Sequence, residues 1–354
     1  MSLSIYDSLL TLITLTSWYL TLRKIYAIME WEKPTDARNL STHCSQYAIP
    51  KDEFSNLEME TSGNAFVICS AQYRKQRVIL KRWHGAVVPN PSRVQFTKRL
   101  VRELDRWCTL EHPNISQPIG IALHISNLPA LVVPAYRTVN QFLVEHPETD
   151  VLNLMHGVAN ALSYLHAQDP PIVHSDLKGS TVFISPSGAP LLCDIGIAAI
   201  PQPPDWGFHG VDDARWLAPE LMDTALRPET HEGCMMDLMR TPDARLPTTM
   251  ESDVFAFGML SYEMHTRARP FATTPFAASV IVRIVSGQRP PRPDAEVSPQ
   301  MTDALWDVIR FCWAQDWRAR PQISAVDAWL GVLVRMRAVE SLGNLGGGEC
   351  CSSG

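Results

Sequence analysis

One run of eleven residues, His174-Ser175-Asp176-Leu177-Lys178-Gly179-Ser180-Thr181-Val182-Phe183-Ile184, constrains this chain more than any other. It sets an acid two residues after a histidine and a lysine two residues after the acid, then runs straight into apolar residues. A loop built this way can offer a carboxylate to a hydroxyl and an ammonium to a phosphate. A short pattern of this kind is common by chance in a long chain, so its meaning depends on what surrounds it.

The surroundings are ordered. Val78-Ile79-Leu80-Lys81 ends an apolar strand, and Glu103 lies nine residues before His112-Pro113-Asn114-Ile115. After the loop come Cys193-Asp194-Ile195-Gly196, Ala218-Pro219-Glu220, the run Glu251 to Gly258, Cys312-Trp313 and Arg320-Pro321. In that order these landmarks resemble the protein kinase superfamily, in the flavour of the tyrosine-kinase-like serine/threonine group, over residues 54 to 335. The loop departs from the family's H-R-D-L-x-x-x-N at Ser175 and at Thr181.

The resemblance implies an α+β, two-lobed fold: a small N-lobe antiparallel sheet with one helix, then a larger, mainly helical C-lobe. It divides the chain into an apolar segment and linker (1–53), the N-lobe (54–133), the C-lobe (134–335) and a flexible tail (336–354). It also implies ATP and magnesium as cofactors. By resemblance Asp176 is the catalytic base and Lys178 neutralises the transferred phosphate. Asp194 holds magnesium, with Thr181 where an asparagine would hold a second ion. Lys81 and Glu103 pair at the nucleotide, whose walls are Ile68, Ile79, Val133, Ala135 and Phe183. Of the glycine-rich loop, Thr61 to Ile68, only Gly63 remains, with Thr61 and Phe66 in place of the other two glycines. His174 is a buried structural residue, Asp253 binds the loop backbone, and Arg320 pairs with Glu220.

The residues carry part of this without the family. Ala65 to Cys69 and Arg77 to Trp83 read as strands around a polar turn at Gln72 to Gln76. Arg99 to Leu110 places Leu100, Leu104, Trp107 and Leu110 at helical spacing, with Glu103 beside the stripe, where an unpaired carboxylate is costly. Asp150 to Ala167 is a helix with Val151, Leu154, Met155, Val158, Leu162 and Leu165 on one side. From Ile195 to Leu217 there is no serine, threonine or tyrosine to phosphorylate, and the arginine that would pair with such a phosphate is Ser175. The thirty-two residues between Glu220 and Asp253 form a Met-rich insert.

A net charge of −6 and a pI near 6.0 argue against a nucleic-acid partner. The eight cysteines form no C-x-x-C pair, which favours a reduced, cytoplasmic setting. Ser8 to Leu22 is apolar, but fifteen helical residues span about 22 Å, short of a bilayer core of about 30 Å. Residues 3–22 are therefore expected to form a peripheral helix or to pack on the body in preference to spanning a membrane, with membrane contact through them the less favoured outcome. Two functions remain: a weak kinase that phosphorylates serine or threonine hydroxyls of a protein substrate, or a pseudokinase scaffold for a signalling partner. Poor phosphate cover, Thr181, and the large side chains Ile79 and Phe183 in the adenine slot weigh towards the second. The retained Lys81, Glu103, Asp176, Lys178 and Asp194 weigh towards the first.

Overall fold

The computed structural model describes residues 46–62, 66–83, 90–123, 125, 128–200, 211–223 and 248–346. The apolar stretch 3–22, Gly63 and most of the Met-rich insert lie outside them. The chain separates into two compact units, one reaching to Lys98 and including Ile119–Val133, the other made of Arg99–Pro118 and everything from Pro134 onward.

The first unit is built on a six-stranded sheet. Its strands are β1 (Ala48–Ile49), β2 (Phe54–Ser62), β3 (Phe66–Tyr73), β4 (Gln76–Trp83), β5 (Gly120–Ala122) and β6 (Ala130–Pro134), ordered β1-β5-β6-β4-β3-β2. Strands β3 and β4 alternate apolar side chains, so Val67, Cys69, Ala71, Val78 and Leu80 enter one core with Val132 and Ile49. Only Arg74 and Lys75 form the turn between them, both at positive φ (46° and 69°), the twist a two-residue hairpin needs. The strands thus run further into the expected turn than their apolar residues do.

The sheet corrects the expectation of a purely antiparallel one. Strand β1 pairs in parallel with β5, Ala48 opposite Ile121, and it comes from residues expected to be linker. The backbone of Tyr47 adds a bond, accepting the Ile121 N–H at 2.8 Å. Two residues suffice because Ile49 is buried in the sheet's core.

Helix α1 (Asn90–Cys108) begins nine residues earlier than its apolar stripe suggested, with Pro91 in the first turn, where proline costs no hydrogen bond. Its first part belongs to the sheet unit, where Phe96 meets Trp83 edge-on at 5.1 Å. Its second part carries Leu100, Leu104 and Trp107, all fully buried, and Trp107 Nε1 donates to the Ser116 carbonyl at 2.8 Å.

The second unit is mainly helical: α2 (Val139–Glu145), α3 (Val151–His166), α4 (Met250–Thr266), α5 (Ala277–Val285), α6 (Asp303–Cys312) and α7 (Ile323–Gly346). A small antiparallel sheet of β7 (Arg137–Thr138), β8 (Val182–Ile184) and β9 (Pro190–Leu192) accompanies them. The apolar face of α3 is buried as its spacing predicts, and α3 packs extensively on α7. Helix α4 is buried almost all round, which makes it the unit's central post. Helix α7 runs to Gly346, so residues 336–346 are helical instead of opening a flexible tail, there being no proline to stop them. Arg320 and Glu220 form a buried bidentate pair at 2.6 and 2.8 Å. No described helix is long and apolar enough to cross a membrane.

Candidate functional site

The loop between α3 and β8 is held from below by one residue of α4. A capping box of Thr249 and Ser252 starts that helix and places Asp253 in its first turn. Asp253 accepts the backbone N–H of His174 at 2.7 Å and of Ser175 at 2.9 Å, and faces His166 Nε2 at 3.0 Å. Ser175 sits at φ 74°, a conformation costly for a side chain with a Cβ, and these bonds are what offset it. Its hydroxyl lies 2.7 Å from Thr248 Oγ1, so the position expected to be arginine is tied to the start of α4.

His174 is fully buried, and burial pushes its imidazole pKa down despite the acids Asp253, Asp176 and Asp194 nearby. Its neutral Nδ1 accepts the Asp176 N–H at 3.3 Å, which orients the acid. That is a structural role, as expected.

Asp176 and Lys178 meet directly, Nζ to Oδ1 at 2.8 Å, and the same Nζ reaches Asp213 Oδ1 at 3.0 Å. Burial raises the Asp176 carboxyl pKa, Lys178 opposes it, and Asp213 raises it further. For Lys178 burial acts downward, but the two carboxylates outweigh it and hold the ammonium charged. The arrangement offers a carboxylate of enhanced basicity next to a fixed cation.

Thr181, expected as a magnesium ligand, has a different set of partners. Its hydroxyl donates toward the Asp176 carbonyl at 2.7 Å and the Lys178 carbonyl at 3.0 Å, and accepts the Lys178 N–H at 3.2 Å. A hydroxyl has one hydrogen and two lone pairs, so at most one lone pair is left for a cation. Thr181 closes the loop's short 3₁₀ turn, Gly179–Thr181. Asp194 is buried at φ 62°, a left-handed conformation rare outside glycine and concentrated at functional positions. Gly196, two residues on, is also left-handed, and a Cβ there would come within 3.0 Å of Glu103 Oε2. Glu103 is met by Arg106 Nη1 at 3.3 Å on its own helix.

In the sheet unit, the register pairs Ile68 with Lys81 and Ser70 with Ile79, which sets Ile68, Ile79 and Lys81 on one face, opposite the core-facing Val67, Cys69 and Leu80. Lys81 is buried and Ile79 half-buried. Val133 is fully buried in β6, while Ala135 and Phe183 belong to the second unit, half-buried and buried respectively.

Two residues of the site went unnoticed in the sequence. Asp213 lies 35 positions beyond Lys178, and no periodicity joins them. Glu263, buried in α4, accepts from Asn140 Nδ2 at 2.8 Å, the Gly179 N–H at 3.0 Å and Trp216 Nε1 at 2.9 Å. An acid amid the apolar residues of α4 was the available signal, because such a group persists only when donors surround it.

Comparison with known proteins agrees with this geometry. The family model "protein tyrosine and serine/threonine kinase" matches residues 61–330. Probable serine/threonine-protein kinase pats1 of Dictyostelium discoideum is 24% identical over 298 residues, covering 79% of this chain and 8% of that protein. Kinase suppressor of Ras 2 of Mus musculus is 26% identical over 306 residues, covering 81% and 29%. Serine/threonine-protein kinase TNNI3K of Mus musculus is 24% identical over 290 residues, covering 80% and 31%. The chain spans less than a third of the length of each of these relatives. With the family model matching most of its length and its loop assembled around Asp176, Lys178 and Asp253, the chain belongs to the protein tyrosine and serine/threonine kinase family.

Proposed function

We propose that this chain transfers, slowly, the terminal phosphoryl group of ATP to serine or threonine hydroxyls of a protein substrate. The observation that carries the proposal is the pair of Asp176 and Lys178, in contact at 2.8 Å and held by a loop whose backbone is tied to Asp253. Asp176 takes the proton of the substrate hydroxyl as its oxygen attacks phosphorus, and its raised pKa strengthens it for that step. Lys178 offsets the charge of the phosphoryl oxygens. Lys81, buried on the strand face that also carries Ile68 and Ile79, would hold the nucleotide's phosphates.

The donor set suits one magnesium ion better than two. Asp194 supplies a carboxylate oxygen of the kind magnesium takes, whereas the Thr181 hydroxyl, already bonded within its loop, has at most one lone pair to offer. When bound through Asp194 and phosphate oxygens, magnesium would neutralise charge on the nucleotide.

A second reading, a pseudokinase scaffold that binds a signalling partner with little or no phosphotransfer, draws on two observations. These are the committed hydroxyl of Thr181 and the sharing of Lys178 between two carboxylates. Thermal unfolding with ATP, with and without magnesium, separates the two. A ligand at a hundred times its dissociation constant stabilises by about 2.7 kcal/mol. The kinase reading expects a magnesium-dependent upward shift that Lys81→Ala and Asp194→Ala each abolish. No shift with any nucleotide would remove it and leave the scaffold.

A further inference from the structure

The ammonium of Lys178 has three N–H donors, and Asp176 at 2.8 Å and Asp213 at 3.0 Å occupy two of them. Two carboxylates and one ammonium leave this group with one net negative charge. A phosphate approaching Lys178 therefore meets a cation already balanced and a second carboxylate that repels it.

Asp213 is held where it is. Two residues on, the fully buried Arg215 donates to the carbonyls of Pro270 and Phe271 at 2.8 Å each and of Thr274 at 2.9 Å. The Trp216 backbone N–H returns to the Asp213 carbonyl at 3.2 Å, and its indole donates to Glu263. The same Glu263 carboxylate receives the N–H of Gly179, the residue after Lys178. One buried acid on α4 thus grips both sides of the Lys178–Asp213 contact. Of the two side chains Asp213 is the more exposed, 36% against 15% for Lys178.

We propose that Asp213 selects the substrate: it withholds Lys178 from phosphate until a lysine or arginine beside the acceptor hydroxyl takes its carboxylate over. Asp213 is a single ammonium away from the base Asp176, so the cation that replaces Lys178 sits within side-chain reach of the hydroxyl that Asp176 holds. Arginine is the better occupant, because its planar fork matches a carboxylate through two hydrogen bonds. Lys178, released from Asp213, then turns to the phosphoryl group. The partner is a serine- or threonine-containing segment with an adjacent basic residue. The rate effect rests on the kinase reading above; the binding preference does not.

The test uses the full chain and two fluorescent peptides that differ only by arginine or glutamine next to the serine. Binding is read by anisotropy and transfer by phosphate incorporation from magnesium ATP. Wild type, Asp213→Asn and Asp213→Glu are compared, with thermal unfolding to verify that each is folded. Wild type should favour the arginine peptide about tenfold in Kd and in kcat/KM, the return of one charge-assisted pair. Asp213→Asn should bring the two peptides within about twofold and raise transfer to the glutamine peptide, whereas Asp213→Glu should keep the preference. Equal binding of both peptides by wild type, or a preference that survives Asp213→Asn, overturns the proposal. Absence of transfer everywhere, with the binding preference present in wild type and lost in Asp213→Asn, removes the kinase reading and supports Asp213 as the selector.

Discussion

Replacing Glu263 tests the architecture beneath the site, and glutamine and alanine should give opposite results. In Glu263→Ala the N–H of Gly179, the Trp216 indole and the Asn140 amide lose their acceptor together. Asn140 and Trp216 are half-buried and can turn part-way to water; the backbone of buried Gly179 cannot. An unsatisfied buried donor costs about 1–3 kcal/mol, and hydrogen bonds to a charged group contribute about 1.5–3 kcal/mol each. Offset by removal of a buried charge, the net loss should be about 3–5 kcal/mol, the usual result of removing one partner from a buried charged network. In Glu263→Gln the remaining oxygen can accept from Gly179 and Trp216, while the new NH₂ meets Asn140, whose amide can flip to present its oxygen. The cost should then stay below about 1.5 kcal/mol.

Burial raises the Glu263 carboxyl pKa, against the pull of Asn140, Gly179, Trp216 and Lys178. A carboxyl raised in the folded state loses stability as pH climbs from its ordinary range through the folded value. As pH rises above the ordinary carboxylate range of about 4, the wild type should therefore fall relative to Glu263→Gln, which has nothing to ionise. Urea midpoints at matched m-values measure both effects. Refutation would be glutamine as costly as alanine, or alanine within about 1 kcal/mol of wild type.

Two further outcomes follow from named residues. Ile79 is half-buried on the strand face that carries Lys81, so Ile79→Ala should raise ATP affinity about ten- to hundredfold, the return of about 1–3 kcal/mol of overpacking; unchanged or weaker binding by calorimetry would contradict the steric argument. Burial, then the cation of Arg337, lowers the His265 pKa to about 4, and its Nδ1 lies 2.9 Å from Ser298 Oγ. Because the folded value lies below the free one, stability present above about pH 6.5 should decline by up to about 3 kcal/mol as pH falls to about 4. His265→Gln should flatten that slope, and an identical slope in the variant would clear His265 of the effect.

What the sequence alone determined was whatever its periodicity and motif order could carry. Leu100, Leu104, Trp107 and Leu110 announced a buried helical face, the apolar clusters before and after Gln72 to Gln76 announced two strands, and the spacing of Asp176, Asp194 and Ala218-Pro219-Glu220 announced the family. Such signals are legible because a helix or strand repeats within a few residues.

Tertiary structure decided the rest. Residues 48–49 became a parallel strand because the edge of β5 had unpaired backbone groups, a need written nowhere near Ala48. The partners of the Thr181 hydroxyl, the carbonyls of Asp176 and Lys178, were set by the folded loop and could not be read from its place in a motif. Asp213 and Glu263 acquire their roles from partners 35 and 84 residues away, where charge and hydrogen bonding act through space and leave no period in the chain.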